Sequence, residues 1–554
     1  MSLAEQTHKA AAVALRNPDL VMRLSRLGSA HPMRLSFLRV LFRRVEHEGW
    51  RFDRPVWEVD DRGVGHAIYR ARGPERTYSL VAFPHDLPDE LRSDRVIATA
   101  WDATFALVDG EPTPDDIERL AANVPLQEAG RISGKELCLS RANRSVRLFS
   151  HVVERLAQGQ QPDAAEIDAV GYLMRTTAVY GSGKFGAADR EDICDRPELK
   201  APFQAEMLSV WLIRAFTVDI VEHLASVRGG AAAVRLDPVL RRSLGVGNST
   251  GLGMAPFLVR HPALLNAWMT ARETALARVR AVPNATPAEG AAFRCALTAA
   301  QKNAEFWHSK HPAQVTKLAD LSADLTRLAD HIGTGWDHLA PQPWNELWLW
   351  GEAQLSEEGQ ECLLALLLEP YGSIVDELAD MLDADETVRF AIDGAMTVGR
   401  LRALIAKDYR WTTAFDFTDP AQSARFWYVS EEKLEPRLGD RRTEAGQERE
   451  QPLGIAQAVT ALSKELAGWR EAEGLARFLL AHPEHRHTVR RIQMLHGLPY
   501  AEIRDNLLDA GMLPVDILRC KLAFFGATRF DPRSDRWVRI SLFQGMPYPD
   551  EIGA

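Results

Sequence analysis

The sequence predicts a mainly α, multi-helical protein with a small antiparallel β-meander near the N-terminus and a short β segment at the C-terminus. Three observations carry this expectation. Cap residues precede proline at Thr113-Pro114, Thr286-Pro287 and Asp419-Pro420, where a first helical turn has no use for the missing N–H. Apolar residues recur at helical spacing through 139–157, 164–178, 204–227, 262–280, 287–307 and 312–332. Short β-prone runs, split by the turn sequences Asp60-Asp61-Arg62-Gly63 and Arg72-Gly73-Pro74, are confined to residues 55–108.

In chain order, Pro32 is placed to open a helix through Leu35, Leu38, Val40, Leu41 and Val45. The meander is expected from runs at 56–59, 66–69, 78–83 and 96–101. After residue 110 the strand–helix alternation of a parallel sheet is not evident, which opposes a doubly wound fold. Residues 333–352, with Trp336, Trp344, Trp348 and Trp350 among Gly and Pro, read as a packed irregular connection. Residues 430–452 hold seven acidic and five basic side chains and read as a solvated loop or a lid. Alternation over 536–543 predicts a final strand. A length of 554 residues favours two to four domains. The expected division is an α+β domain with the meander over 1–120, a central helical domain carrying the glycine-rich loops over 121–340, and a C-terminal helical domain over 341–554.

A hydrophobic content of 46% with 26% charged residues is that of a globular chain. The net charge of −10 argues against nucleic acid as the main partner, because phosphate backbones call for a basic surface. Cys138, Cys194, Cys295, Cys362 and Cys520 are odd in number and widely spaced, which fits a reducing compartment and offers no thiolate metal site. No secretory leader and no membrane span is read, so a cytoplasmic location and no membrane partner are expected. His308 with His311, and His482, His485 and His487, lack metal-ligand spacing, and no metal is expected.

The candidate ligand site centres on residues 245–253, which read Gly-Val-Gly-Asn-Ser-Thr-Gly-Leu-Gly. Gly247, Gly251 and Gly253 let the backbone approach a ligand closely, and Asn248, Ser249 and Thr250 add neutral donors. A helix beginning near Pro256 would turn its free N–H groups toward an anion. Over a dozen residues the run resembles the Gly-x-x-x-Gly-x-Gly cofactor loop of short-chain dehydrogenases. That family sets its loop after a buried apolar strand, where this chain has Leu236-Asp237-Pro238-Val239-Leu240-Arg241-Arg242-Ser243. Its Tyr-x-x-x-Lys pair lies downstream, whereas Tyr180 and Lys184 lie upstream, so the chain is not assigned to it. The competing reading of the run is a close-packed connection between helices.

A second glycine-rich turn, 181–186, carries Lys184 as a point charge or nucleophilic amine, with Tyr180 as its proton partner; capping of the preceding helix explains it equally. The apolar helix 204–227 holds Arg214, a candidate ligand cation, and Asp219 with His223, spaced so that the carboxylate can orient an imidazole base. Ion pairs to neighbouring helices are the alternative for these. Arg141 and Arg144 are further arginines for an anion. Together these residues predict an enzyme acting on a small anionic metabolite, phosphate- or carboxylate-bearing, with the cofactor left open and a homo-oligomer allowed. The alternative is a non-catalytic helical ligand-sensing or scaffold protein.

Overall fold

The computed structural model describes residues 13–91, 100–123, 133–176, 193, 195–250, 262–305, 307, 312–382, 391–413, 416–419, 427–429, 436–438, 451–504, 519–532 and 538–552. The chain divides into two compact units, each assembled from separated segments. One comprises Met1–Leu35, Thr250–Phe524 and Pro532–Val538; the other comprises Ser36–Ser249, Phe525–Asp531 and Arg539–Ala554.

The second unit is organised by a sheet. Its strands are β1 (Arg51–Val59), β2 (Gly65–Arg72), β3 (Thr77–Pro84), β4 (Ala103–Asp109), β5 (Glu136–Arg144), β6 (Tyr172–Thr176) and β7 (Gly245–Thr250). A separate ribbon pairs β8 (Trp427–Val429) with β9 (Pro436–Leu438), and β10 (Arg529–Pro532) and β11 (Val538–Leu542) return to the main sheet. Among the described residues the main sheet has nine strands in the order β1-β2-β3-β4-β5-β6-β7-β11-β10. Neighbours from β1 to β6 run antiparallel, while β6 and β7 run parallel.

This overturns the expectation of a mainly helical chain with a small meander and a short C-terminal β segment. The meander forms from its first three expected runs, held by local turns: Asp60 accepts the N–H groups of Arg62 and Val64, each at 2.9 Å, and Gly63 takes a φ of 79°. Its fourth strand is Ala103–Asp109, while the expected run 96–101 lies mostly outside the described residues. The meander then continues through β5, β6 and β7 into the C-terminal strands. The predicted helix 139–157 is the strand β5 followed by a helix Phe149–Ala157. The predicted helix 164–178 stops at Val170, because Gly171 at φ 77° closes it and turns the chain directly into β6. β5 and β6 are buried on both faces, so they lack the polar–apolar alternation that marks a half-exposed strand. A strand–helix–strand crossover also exists after residue 110: the long helix Gln204–Gly229 lies between the parallel β6 and β7.

The glycine run is likewise corrected. Residues 245–250 are β7, a strand paired to β6, where the sequence predicts a loop. Gly251, Gly253 and the expected helix start near Pro256 lie outside the described residues, as do Tyr180, Lys184, Pro420, His308, His311 and most of 430–452.

The long helix is buried on nearly all sides, as its sequence predicts, and covers one face of the sheet. Phe216 meets Phe105 of β4 at 5.3 Å and Tyr69 of β2 at 6.4 Å, ring centre to ring centre. The opposite face packs Ile68, Val81, Ala106 and Leu139 against Ile117 and Leu120 of the helix Pro114–Asn123.

In the first unit the helices Pro262–Arg280, Pro287–Glu305 and Pro312–Thr334 follow the expected spans closely. At Thr286 the reciprocal cap forms, with the Thr286 N–H on Glu289 and the Glu289 N–H on the Thr286 hydroxyl. The tryptophan-rich stretch is irregular over 335–342, as expected, but its remainder is the helix Pro343–Gln354, with Trp344 and Trp348 fully buried. A charged network is buried nearby. Arg16 binds Glu273 and Glu361, each at 2.8 Å, and Arg272 and Arg26 complete the set.

Candidate functional site

Five strands of the second unit end along one edge of the sheet. The pairings there are Pro84 with Ala103, Thr104 with Arg141, Asn143 with Arg175, and Arg175 with Gly247. Side chains alternate along a strand, so Thr104, Arg141, Asn143 and Arg175 project from the same face. That face is apolar further along the same strands, where Leu139 and Ala106 lie in the core cluster. A period-two step from Leu139 to Arg141 to Asn143 therefore carries β5 from core into a polar row.

The row is tightly bonded. The Asp102 carboxylate is buried and accepts the Arg144 N–H at 2.9 Å, with the Arg144 Nε 3.6 Å from its other oxygen. The Asn143 amide accepts the Asp102 N–H at 2.9 Å and donates to the Ala100 carbonyl at 3.1 Å. His85 follows β3 and donates its backbone N–H to the Asp102 carbonyl, and its Nε2 lies 3.0 Å from the Thr104 hydroxyl. Burial pushes the His85 imidazole below its ordinary range, against a smaller opposing pull from Asp102. The Arg141 guanidinium lies 4.0 Å over the Trp101 ring, and burial pushes it down to about 10.

Gly247 makes room for the end of this row. A Cβ there would stand 2.6 Å from the Tyr172 ring and 2.8 Å from Arg175 Cγ. Tyr172 is 2% exposed, and its hydroxyl has no hydrogen-bond partner among the described residues. An orphaned buried hydroxyl costs about 1–3 kcal/mol, which marks a place where a ligand atom would be favoured. Asn248 is buried and donates its amide to the Thr176 carbonyl at 2.9 Å, tying β7 to the end of β6.

Elsewhere in this unit, a cavity of about 560 Å³ opens between β1, β2 and the long helix. Asp219 and His223 both line it. The Asp219 carboxylate accepts the Tyr69 hydroxyl at 2.7 Å and lies 2.7 Å from Arg54. His223 places Nε2 2.9 Å from the Asp60 carbonyl and Nδ1 3.5 Å from the Trp57 indole N–H. The two residues share a cavity, but each is oriented by other partners. Burial, followed by the charge of Asp219, holds the Tyr69 phenol well above its ordinary range.

Arg214 reaches neither place. Its guanidinium donates to the carbonyls of Leu244, Met546, Pro547 and Arg242 at 2.7 to 3.3 Å and lies 3.8 Å over the Tyr548 ring. It cross-links the entry to β7 with the C-terminal segment.

Of the residues singled out from the sequence, Gly247, Asn248, Arg141 and Arg144 lie near the strand ends, Arg144 on the face opposite Arg141, with Ser249 and Thr250 completing β7. His85, Asp102, Tyr172, Arg175, Tyr69 and Glu222 were not singled out. Only Glu222 had a local signal, standing one helical turn from Asp219. Among the described residues no three His, Cys, Asp or Glu side chains gather as metal ligands would, and no helix is long and apolar enough to cross a membrane. No protein-family model matches this chain, and neither a curated protein nor a solved structure resembles it to a significant degree.

Proposed function

We propose that this protein binds a small metabolite by an anionic group, phosphate or carboxylate, at the strand-end row. The observation that carries the reading is the placement of Arg141 and Arg175 on one face at the ends of β5 and β6, with Tyr172, whose buried hydroxyl has no partner among the described residues, beside Arg175 over Gly247. Guanidinium groups hold carboxylate and phosphate with paired, charge-assisted hydrogen bonds, and these strengthen as water is excluded.

The reading extends to catalysis at His85. Burial lowers its imidazole below the ordinary range, which favours the form able to accept a proton from a ligand at the row. Cys138, Cys295, Cys362 and Cys520 carry no disulfide, which supports a reducing, cytoplasmic setting. A homo-oligomer belongs to the same reading and is measured by light scattering of the purified chain.

The test is a thermal-shift and calorimetric screen with inorganic phosphate, sugar phosphates, nucleotides and small carboxylic acids. An anion should bind and raise the melting temperature. Arg141→Gln and Arg175→Gln should each weaken binding at least tenfold, while Asp550→Asn at the distant cavity leaves it unchanged. His85→Gln should retain binding and abolish any conversion of the ligand seen by mass spectrometry. Failure of every anion to bind, or full affinity in both arginine variants, overturns the proposal.

A further inference from the structure

The cavity between β1, β2 and the long helix is independent of the strand-end row and carries its own ligand chemistry. Its volume of about 560 Å³ lies in the range of small-molecule sites, roughly 300–1,000 Å³. Trp57 and Tyr69 supply aromatic surface, and Asp219 and Glu222 face it from successive turns of the long helix. Arginines stand on its rim, among them Arg54, Arg235 and Arg241.

The two carboxylates are not equivalent. Asp219 takes both the Tyr69 hydroxyl and the Arg54 guanidinium on Oδ2, each at 2.7 Å, so its charge already has a close cation. Glu222 gives Oε1 to the Leu236 N–H at 3.0 Å, while its Oε2 has only the Arg235 Nε at 3.9 Å, outside hydrogen-bond range. The Glu222 side chain is 21% exposed and that of Arg235 is 92% exposed. A largely buried carboxylate thus faces the cavity with no cation in hydrogen-bond range among the described residues, and an arginine stands beside it in solvent. Among the rim arginines, Arg54 is bound to Asp219 and Arg241 to Asp550, at 2.7 and 2.8 Å. The cavity therefore offers, in Glu222, an acceptor for a cationic group and, next to it in Arg235, a donor for an anionic group.

We propose that this cavity binds a small zwitterion of the free amino-acid class, its ammonium on Glu222 and its carboxylate on Arg235. The ammonium supplies the charge that Glu222 lacks, the carboxylate draws the exposed Arg235 over the cavity mouth, and the ligand side chain lies against Trp57. Burial and the neighbouring Asp219 already hold the Glu222 carboxyl above its ordinary range, and a bound ammonium would relieve both effects. Neither an amine nor an acid alone satisfies both groups.

Calorimetry of the full chain against the free amino acids tests the proposal. The best binder is then compared with the amine lacking its carboxylate and the acid lacking its amine. Both analogues should bind at least tenfold more weakly than the parent. Glu222→Gln, which keeps the acceptor for the Leu236 N–H, and Arg235→Gln, which alters an exposed side chain, should each cost tenfold or more. Arg141→Gln should leave amino-acid binding intact, which separates this site from the strand-end row. Absence of binding by any amino acid, an analogue that binds as tightly as its parent, or full affinity in Glu222→Gln overturns the assignment.

Discussion

Gly247 lies opposite Arg175 in the parallel pair of β6 and β7, where a Cβ would stand 2.8 Å from the arginine Cγ. Gly247 is not among the positive-φ glycines, so its role is close approach and not an unusual backbone turn. The Tyr172 ring and the Arg175 stem occupy the space that any larger residue would need.

Substitution of Gly247 by alanine should therefore overpack the β6–β7 contact and cost about 1–3 kcal/mol of stability. Gly333→Ala is the matched control, since nothing lies within 4 Å of its Cβ position and it sits in the helix Pro312–Thr334. That change should be neutral or stabilise by up to about 1 kcal/mol. Urea denaturation of both variants separates the two outcomes, and equal stability of Gly247→Ala and the native chain would contradict the packing argument.

Glu222 predicts a pH-dependent stability. Its carboxyl is raised, chiefly by burial, so the folded chain holds that proton more tightly than the unfolded one. Stability contributed by this group is then full below the ordinary carboxylate range and falls as pH rises through the raised folded value. Glu222→Gln should accordingly be more stable than the native chain at pH 7, with the difference shrinking towards pH 4. Melting curves at the two pH values check the sign.

The buried network around Glu273 predicts the opposite trend. Burial disfavours the Glu273 charge, but Arg16 and Arg272 outweigh it and hold the carboxyl below its usual range. Its contribution is present above pH 4.5, the ordinary value, and is lost as pH falls through the lower folded value. Glu273→Gln leaves two buried arginines short of a counter-charge and should cost about 3–5 kcal/mol at pH 7. The gap between variant and native chain should narrow in acid, as read from urea midpoints at pH 7 and pH 3.5.

The sites were legible only in part. Asp219 and His223 share one cavity as their four-residue spacing on a helix implies, yet Asp219 turns to Tyr69 and Arg54, and His223 to Asp60 and Trp57. Helical spacing sets which residues face one way. It carries no information about which strand will face them. Arg214 shows the same limit: its isolation on an apolar helix is visible in the sequence, but the four carbonyls that receive it come from residues 242–244 and 546–547.

What the sequence determined by itself was local. The caps at Thr113 and Thr286, the long central helix and the turn at Asp60–Gly63 are set by interactions within a few residues, and each appears where its residues place it. What only the tertiary structure decided was the status of β5, β6 and β7 as strands, and with it the row that joins His85, Asp102, Arg141, Tyr172 and Arg175. Strands buried on both faces carry no alternation, and their hydrogen bonds are made with segments tens of residues away. The glycines of β7 are informative only once Tyr172 and Arg175 stand against them. Pairing at that range is a property of the assembled sheet.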